Sequence, residues 1–278
     1  MKIFKTFKPK HPVIKKYISY YYLDVCDSED YFNEYTCYPH INTTLSFYKS
    51  NIFEQNNNHS TAIYRENTPY LKVITPIRES ILKVTQIGKV HKVAAVFEPL
   101  GINQFLANQK IVEKIPSIFN VFNPDIDEHL SEVFNTFDDH KIVTTLDAFF
   151  LTRLSIFHNK HLEKALHFFL DIDNIQTINE IAVNNLGISR KHLNHLFISY
   201  LNITPQKYRM IVRFRYLMNA RMQISDDVNF TKLAYYANYA DQSHFVKACR
   251  QLTGLTPKDF FDSLKAIGSE DIFWSFIK

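Results

Sequence analysis

The sequence predicts an α+β protein: an N-terminal part built on a mixed β-sheet with helices, followed by an all-α C-terminal part. Three observations carry this. Short runs rich in Val, Ile, Thr, Tyr and Phe, broken by Asn, Pro and Ser clusters, fill the chain up to Phe97. Beyond Glu98-Pro99-Leu100-Gly101 the apolar spacing becomes helical. From Asn174 onward the sequence repeats itself at an offset of 52 residues.

The strand expectations, in order, are 20–25, 35–40, 44–48, 71–75, 81–87 and 92–97, with the run Asn56-Asn57-Asn58-His59-Ser60 as a surface loop. Leu130, Val133, Phe134 and Phe137 stand at i, i+3, i+4 and i+7 and predict a first helix. Further helices are expected near 143–157 and 162–170, and the domains divide as 1–158 and 159–278. The length of 278 residues suits two domains at about 100–200 residues each.

Composition bounds the function classes. Apolar residues make up 46% and charged residues 22%, which excludes a disordered chain and supplies a sizeable core. Five glycines and ten prolines exclude collagen-like or linker character. Cys26, Cys37 and Cys249 are too widely spaced for a zinc knuckle and read as buried or free thiols. The basic start is followed by no apolar signal core, and no run of about 18 apolar residues exists. A cytoplasmic protein without a membrane segment is expected. Charge is uneven: residues 174–261 carry 11 basic and 5 acidic residues, a balance of +6, against −1 over residues 1–173. A basic block of this size is compatible with a polyanionic partner or with a solvated face.

The repeat gives that block a shape. Ile181-Ala182 matches Leu233-Ala234, and Thr204-Pro205 matches Thr256-Pro257. Leu193, Leu196, Phe197 and Tyr200 match Phe245, Ala248, Cys249 and Leu252, a stripe at i, i+3, i+4 and i+7 in each copy. Each stripe predicts one buried and one exposed helix face. Ser189 and Asp241 stand four residues before the stripes, where N-caps belong. Asn202 and Gly254 follow the helices and tolerate a left-handed C-terminal residue. A shorter apolar pattern lies upstream in each copy, with Gly187 or Asn238 at the turn. Each copy therefore reads as helix, tight turn, capped helix, and the pair as two helix-turn-helix units at about 177–201 and 229–253. A central helix over 206–223 would run about 27 Å, against about 34 Å between successive major grooves on one DNA face.

Subtracting the stripes leaves the candidate DNA-binding faces: Arg190, Lys191, Asn194 and His195 in the first capped helix, and Gln242, Ser243, His244, Val246, Lys247 and Arg250 in the second. Arg and Lys donate to guanine O6 and N7, and Asn and Gln match the adenine edge. Arg209, Arg213 and Arg215 on the connector, with Lys207 and Arg221 beside them, are candidate phosphate contacts or solvated arginines.

The segment Leu233-Ala234-x-x-Ala237-Asn238-Tyr239-Ala240-Asp241-Gln242-Ser243-His244-Phe245, with Gly254-Leu255-Thr256-Pro257-x-x-Phe260, resembles the signature of the AraC family of bacterial transcription regulators. The first copy, through Ile181-Ala182, Gly187-x-Ser189, Leu193, Phe197 and Thr204-Pro205-x-x-Tyr208, is similar to that family's first unit. The resemblance covers about 100 residues and implies a DNA-binding domain of seven helices with two helix-turn-helix units. By position it implies base reading at Lys191, Asn194, His195, Gln242, His244 and Lys247. Asn238 stands where the family usually has glycine, and the first copy carries one extra residue between Ala182 and Gly187. Tyr38-Pro39-His40 and 96–101 resemble, more weakly, the β-rich N-terminal domain of a family subgroup, which implies a small-molecule sensor or a dimerisation part.

The expected partners are double-stranded DNA, a small-molecule effector at the N-terminal part and a second copy of the chain, without a membrane. No catalytic residue, metal or cofactor is expected. Two other function classes are alternatives. A DNA-repair or modification enzyme on the same module would need cysteines the chain lacks, and no G-x-S-x-G, H-E-x-x-H or Walker motif occurs. A protein-interaction module would use the apolar tail Ile272-Phe273-Trp274-x-Phe276-Ile277, which alternatively docks on the body.

Overall fold

A computed structural model describes residues 2–107, 109–122, 126–223, 242–263, 265–266 and 273–276. The N-terminal part is two six-stranded sheets packed face to face. The first has the order β1 (Lys2–Phe7), β2 (Ile18–Cys26), β9 (Val90–Phe97), β4 (Thr43–Tyr48), β7 (Leu71–Thr75), β10 (Ser117–Ile118). The second runs β11 (Lys265–Ala266), β12 (Phe273–Phe276), β3 (Phe32–Cys37), β8 (Leu82–Ile87), β6 (His59–Tyr64), β5 (Asn51–Asn56). Among the described strands only β6 and β8 pair in parallel, so the second sheet is mixed, as predicted, and the first is antiparallel throughout.

The period of two along a strand explains how the central strands serve two cores. In β2, Tyr21, Leu23 and Val25 pack under helices α1 (Ile126–Phe134) and α2 (Asp139–Thr152), while Tyr20 and Tyr22 face the second sheet. In β9, Val93, Ala95 and Phe97 join the first set and Ala94 and Val96 the second. Strands buried on both faces read as continuous apolar runs, which is why β2 and β9 were legible. The segment predicted as a loop at 56–60 is instead a two-residue turn, with Asn57 at φ 50°, closing a β5–β6 hairpin. Its inner face mixes the polar Asn51, Gln55 and Ser60 with Phe53 and Ala62 and so lacks a clean apolar signature.

Helix α1 stops at Phe134, and Phe137, predicted to continue its stripe, is exposed. Helix α2 begins earlier than predicted because the Asp138 carboxylate accepts hydrogen bonds from the backbone N–H groups of His140 and Lys141. Asn159 caps α3 (Lys160–Leu170) through the Leu162 N–H.

The helical part then follows the repeat. Its first helix, α4, opens with a capping box: the Thr177 hydroxyl accepts from Glu180 N–H and the Glu180 carboxylate accepts from Thr177 N–H. After the turn Ile178–Glu180 it continues as a π-helical turn, Ile181–Asn185, in which Leu186 N–H bonds Ile181 O at 3.1 Å. That wider turn takes up the five-residue spacing from Ala182 to Gly187, one more than from Ala234 to Asn238, and the link from Gly187 to Ser189 is one shorter in return, so the repeat keeps its offset of 52. Gly187, at φ +66°, then makes the turn. Among the described residues, helices α5 (Arg190–Leu201), α6 (Pro205–Gln223), α7 (Gln242–Thr253) and α8 (Pro257–Ser263) follow.

The two parts share a core. Tyr38, Ile77 and Leu100 from the N-terminal part pack with Phe197, Phe214 and Phe260 from the helices. The Asn202 side-chain amide donates to Ile111 O and Glu113 O, and Lys207 pairs with Glu79. The backbone of 273–276 belongs to the N-terminal sheet, so the 159–278 division is crossed by the tail.

Candidate nucleic-acid interface

The Ser189 hydroxyl caps α5 by accepting the His192 N–H at 3.1 Å, and Asn202 ends it in the left-handed region at φ 57°. Leu193, Leu196 and Phe197 are buried, and Arg190, Lys191 and His195 lie on the opposite, exposed face with Asn194 at its margin. In α7, Phe245, Ala248, Cys249 and Leu252 are buried while Gln242, Ser243, His244, Lys247 and Arg250 are exposed, with Val246 half-buried. Gly254 closes this helix at φ +76°. Asp241, Asn238 and the first helix of the second unit lie outside the described residues.

A groove of about 450 Å³ joins the two helices. Arg190 from the start of α5, His244 from the start of α7, and Gln206, Met210 and Arg213 from α6 line it. Both helices therefore present polar N-terminal turns to one surface. Helix α6 spans 19 residues, about 28 Å at 1.5 Å per residue.

The connector arginines do not behave as one group. Arg213 and Arg209 both line this groove. Arg209 is buried, and its guanidinium donates to the backbone oxygens of Gln176 and Asn174. Burial, and then the neighbouring Arg213 charge, lower its pKa from the usual arginine value. Arg215 is also buried, with Nη1 3.8 Å from Met218 Sδ, and reaches a cavity in the N-terminal part. The prediction of Arg209 and Arg215 as phosphate contacts is corrected accordingly: on a helix buried on most of its circumference, arginine spacing does not tell outward from inward.

That cavity, about 100 Å³, lies between the two sheets. Lys92 shares the phase of Ala94 and Val96 on β9, so its side chain enters the cavity, buried, with Nζ 4.9 Å from the Tyr22 ring centre and 5.3 Å from that of Tyr48. Burial works against its charge, but the oxygens of Tyr22, Tyr48 and Tyr35 outweigh it and hold the Lys92 pKa well above the ordinary lysine value. Arg78 and Arg215 also line the cavity, and no carboxylate is among its described lining residues. Cys37 is a wall residue whose thiol pKa is pushed up by burial. Sequence reasoning missed this site. The one available signal was a lysine in register with the buried face of an apolar strand. Among the described residues no group of three or more His, Cys, Asp or Glu could hold a metal ion, and no helix is long and apolar enough to cross a membrane.

Residues 182–263 match the family model for a helix-turn-helix domain. This region is a helix-turn-helix domain of the AraC type. The chain is 28% identical over 107 residues to the HTH-type transcriptional regulator ArgR of Pseudomonas aeruginosa, covering 38% of this chain and 32% of that protein, about a third of its length. Among solved structures, ToxT of Vibrio cholerae strain SCE256 with a bound unsaturated fatty acid aligns with a TM-score of 0.49 and 16% identity over 90% of this chain and 98% of that chain. ToxT of strain O395 gives 0.43 and 14% over 94% and 96%. The helix-turn-helix domain thus includes α5, α6, α7 and α8 and the groove between them.

Proposed function

We propose that this chain is a sequence-specific DNA-binding transcription regulator of the cytoplasm that reads adjacent major grooves with α5 and α7. The observation that carries the proposal is the shared groove, with Arg190 and His244 from the two helix starts and Arg213 between them. In this reading Arg190, Lys191, Asn194, His195, Gln242, Ser243, His244, Lys247 and Arg250 meet base edges, and Arg213 meets phosphate. The test is selection of bound fragments from random or genomic DNA at two salt concentrations. A regulator keeps its selected sequence as salt rises, whereas a merely basic domain loses all binding alike.

A second element concerns the cavity. We propose that it takes a small-molecule effector of negative charge, because three cations and a ring of tyrosines line it without a lining carboxylate. Thermal melting in a panel of small carboxylates tests this. An effector raises the melting temperature of the wild type and leaves Lys92→Met unmoved, and a panel without any such compound contradicts the proposal.

A further inference from the structure

The tail of the chain returns to the cavity wall. Strand β12 pairs antiparallel with β3 in the register Trp274↔Cys37, Ser275↔Thr36 and Phe276↔Tyr35, and β11 pairs on its outer side. Strand β3 is paired with β8 on its other side, so the tail covers what would be an open sheet edge. The Tyr35 and Cys37 side chains are walls of the cavity. Tyr38, next in the chain and also a wall residue, meets Phe260 of α8 edge-to-face at 4.7 Å. Helix α8 follows α7 after only Gly254, Leu255 and Thr256. The second reading helix is thus anchored just downstream, twice, to one strand of the cavity. The first reading helix is held by different contacts, from Asn202 to Ile111 O and Glu113 O and from Lys207 to Glu79.

We propose that the C-terminal hairpin is a strap that pre-positions α7: by completing the β3 edge it holds the second reading helix against the N-terminal part, so that recognition of the second half of the DNA site, and not the first, depends on residues 273–276. The reading face of α7 is exposed while the strap is closed, so the closed state is compatible with DNA. Fixing α7 there removes ordering entropy that binding would otherwise cost. The strap also gives β3, and through it the cavity, a mechanical route to one half of the site. This rests on the two-groove reading above.

The test compares the full chain with a chain ending at residue 272 and with Ser275→Pro, which removes a backbone donor from the strand. Binding is measured on an intact site and on a site scrambled in the half that loses discrimination in Lys247→Ala. The strap predicts an affinity loss of about 5-fold or more on the intact site for both variants, the low end of ordinary coupling between sites. It predicts no change on the scrambled site and faster amide exchange at residues 35–37. Equal losses on both sites, an unchanged affinity, or a gain on truncation each overturn the strap. A wild-type chain indifferent to the second half overturns the two-groove reading itself, and the strap with it.

Discussion

The separation of Arg209 from Arg213 is the sharpest consequence of the structure for mutagenesis. The Arg209 guanidinium bridges the oxygens of Asn174 and Gln176, pinning the segment that leads into α4 onto α6. Hydrogen bonds from a charged donor contribute about 1.5–3 kcal/mol each. Both carbonyl residues are half-buried, so water replaces part of what is lost. Arg209→Ala should therefore cost about 2–3 kcal/mol, which for a chain of this size lowers the melting temperature by about 5–10 °C. The salt dependence of its residual DNA binding should keep the wild-type slope. Arg213→Ala should do the reverse. Stability should fall less than in Arg209→Ala, while affinity falls on every sequence and the slope of log K against log salt loses about 0.9, the share of one phosphate contact. Thermal melting and fluorescence anisotropy titrations at several salt concentrations read both quantities. An Arg209→Ala protein with wild-type melting and a flattened slope would refute the reasoning, as would a destabilised Arg213→Ala with an unchanged slope.

Three further outcomes follow from local geometry. Gly187 sits at φ +66° with nothing within 4 Å of a built Cβ, so Gly187→Ala should cost only the left-handed penalty of about 1–2 kcal/mol, and Gly187→Asn less, by chemical denaturation. Asn184 is exposed on the π-helical turn, so Asn184→Ala should change stability by less than about 0.5 kcal/mol in chemical denaturation; a larger loss would contradict its outward placement. Hydrogen bonds from the Thr177 backbone and side chain hold the Glu180 carboxyl below its ordinary value of 4.5. A depressed folded pKa means stability that is present above that value and lost as pH falls through the folded pKa. The advantage of wild type over Glu180→Ala should accordingly be full at neutral pH and shrink in acid; an advantage that grows in acid would exclude the capping box as its source.

Much of the candidate DNA-binding surface was legible because a single-sided helix declares itself twice, through its stripe and through its caps. Leu193, Leu196 and Phe197 are buried as the spacing required, and Ser189, Asn202, Gly187 and Gly254 take the cap and turn roles their chemistry suits. Strands β2, β4, β7, β8 and β9 were legible for the same reason, being enclosed on one or both faces. What escaped was set by partners distant in sequence. Arg209 and Arg215 look like Arg213 until α6 is packed against its neighbours. Lys92 looks like a surface lysine until the second sheet covers it. The β5–β6 hairpin was lost because its inner face interleaves Asn51, Gln55 and Ser60 with Phe53 and Ala62, and the tail's pairing with β3 joins residues more than 200 apart, where no local pattern reaches.

The central claim is that α5 and α7 enter successive major grooves from one surface. Methylation protection on a selected DNA fragment tests it directly. The account predicts two protected major-groove segments on one face of the duplex, about 10–10.5 base pairs apart, with Lys191→Ala or Asn194→Ala erasing one and Lys247→Ala the other. A single protected segment, or two that vanish together with either substitution, would contradict it.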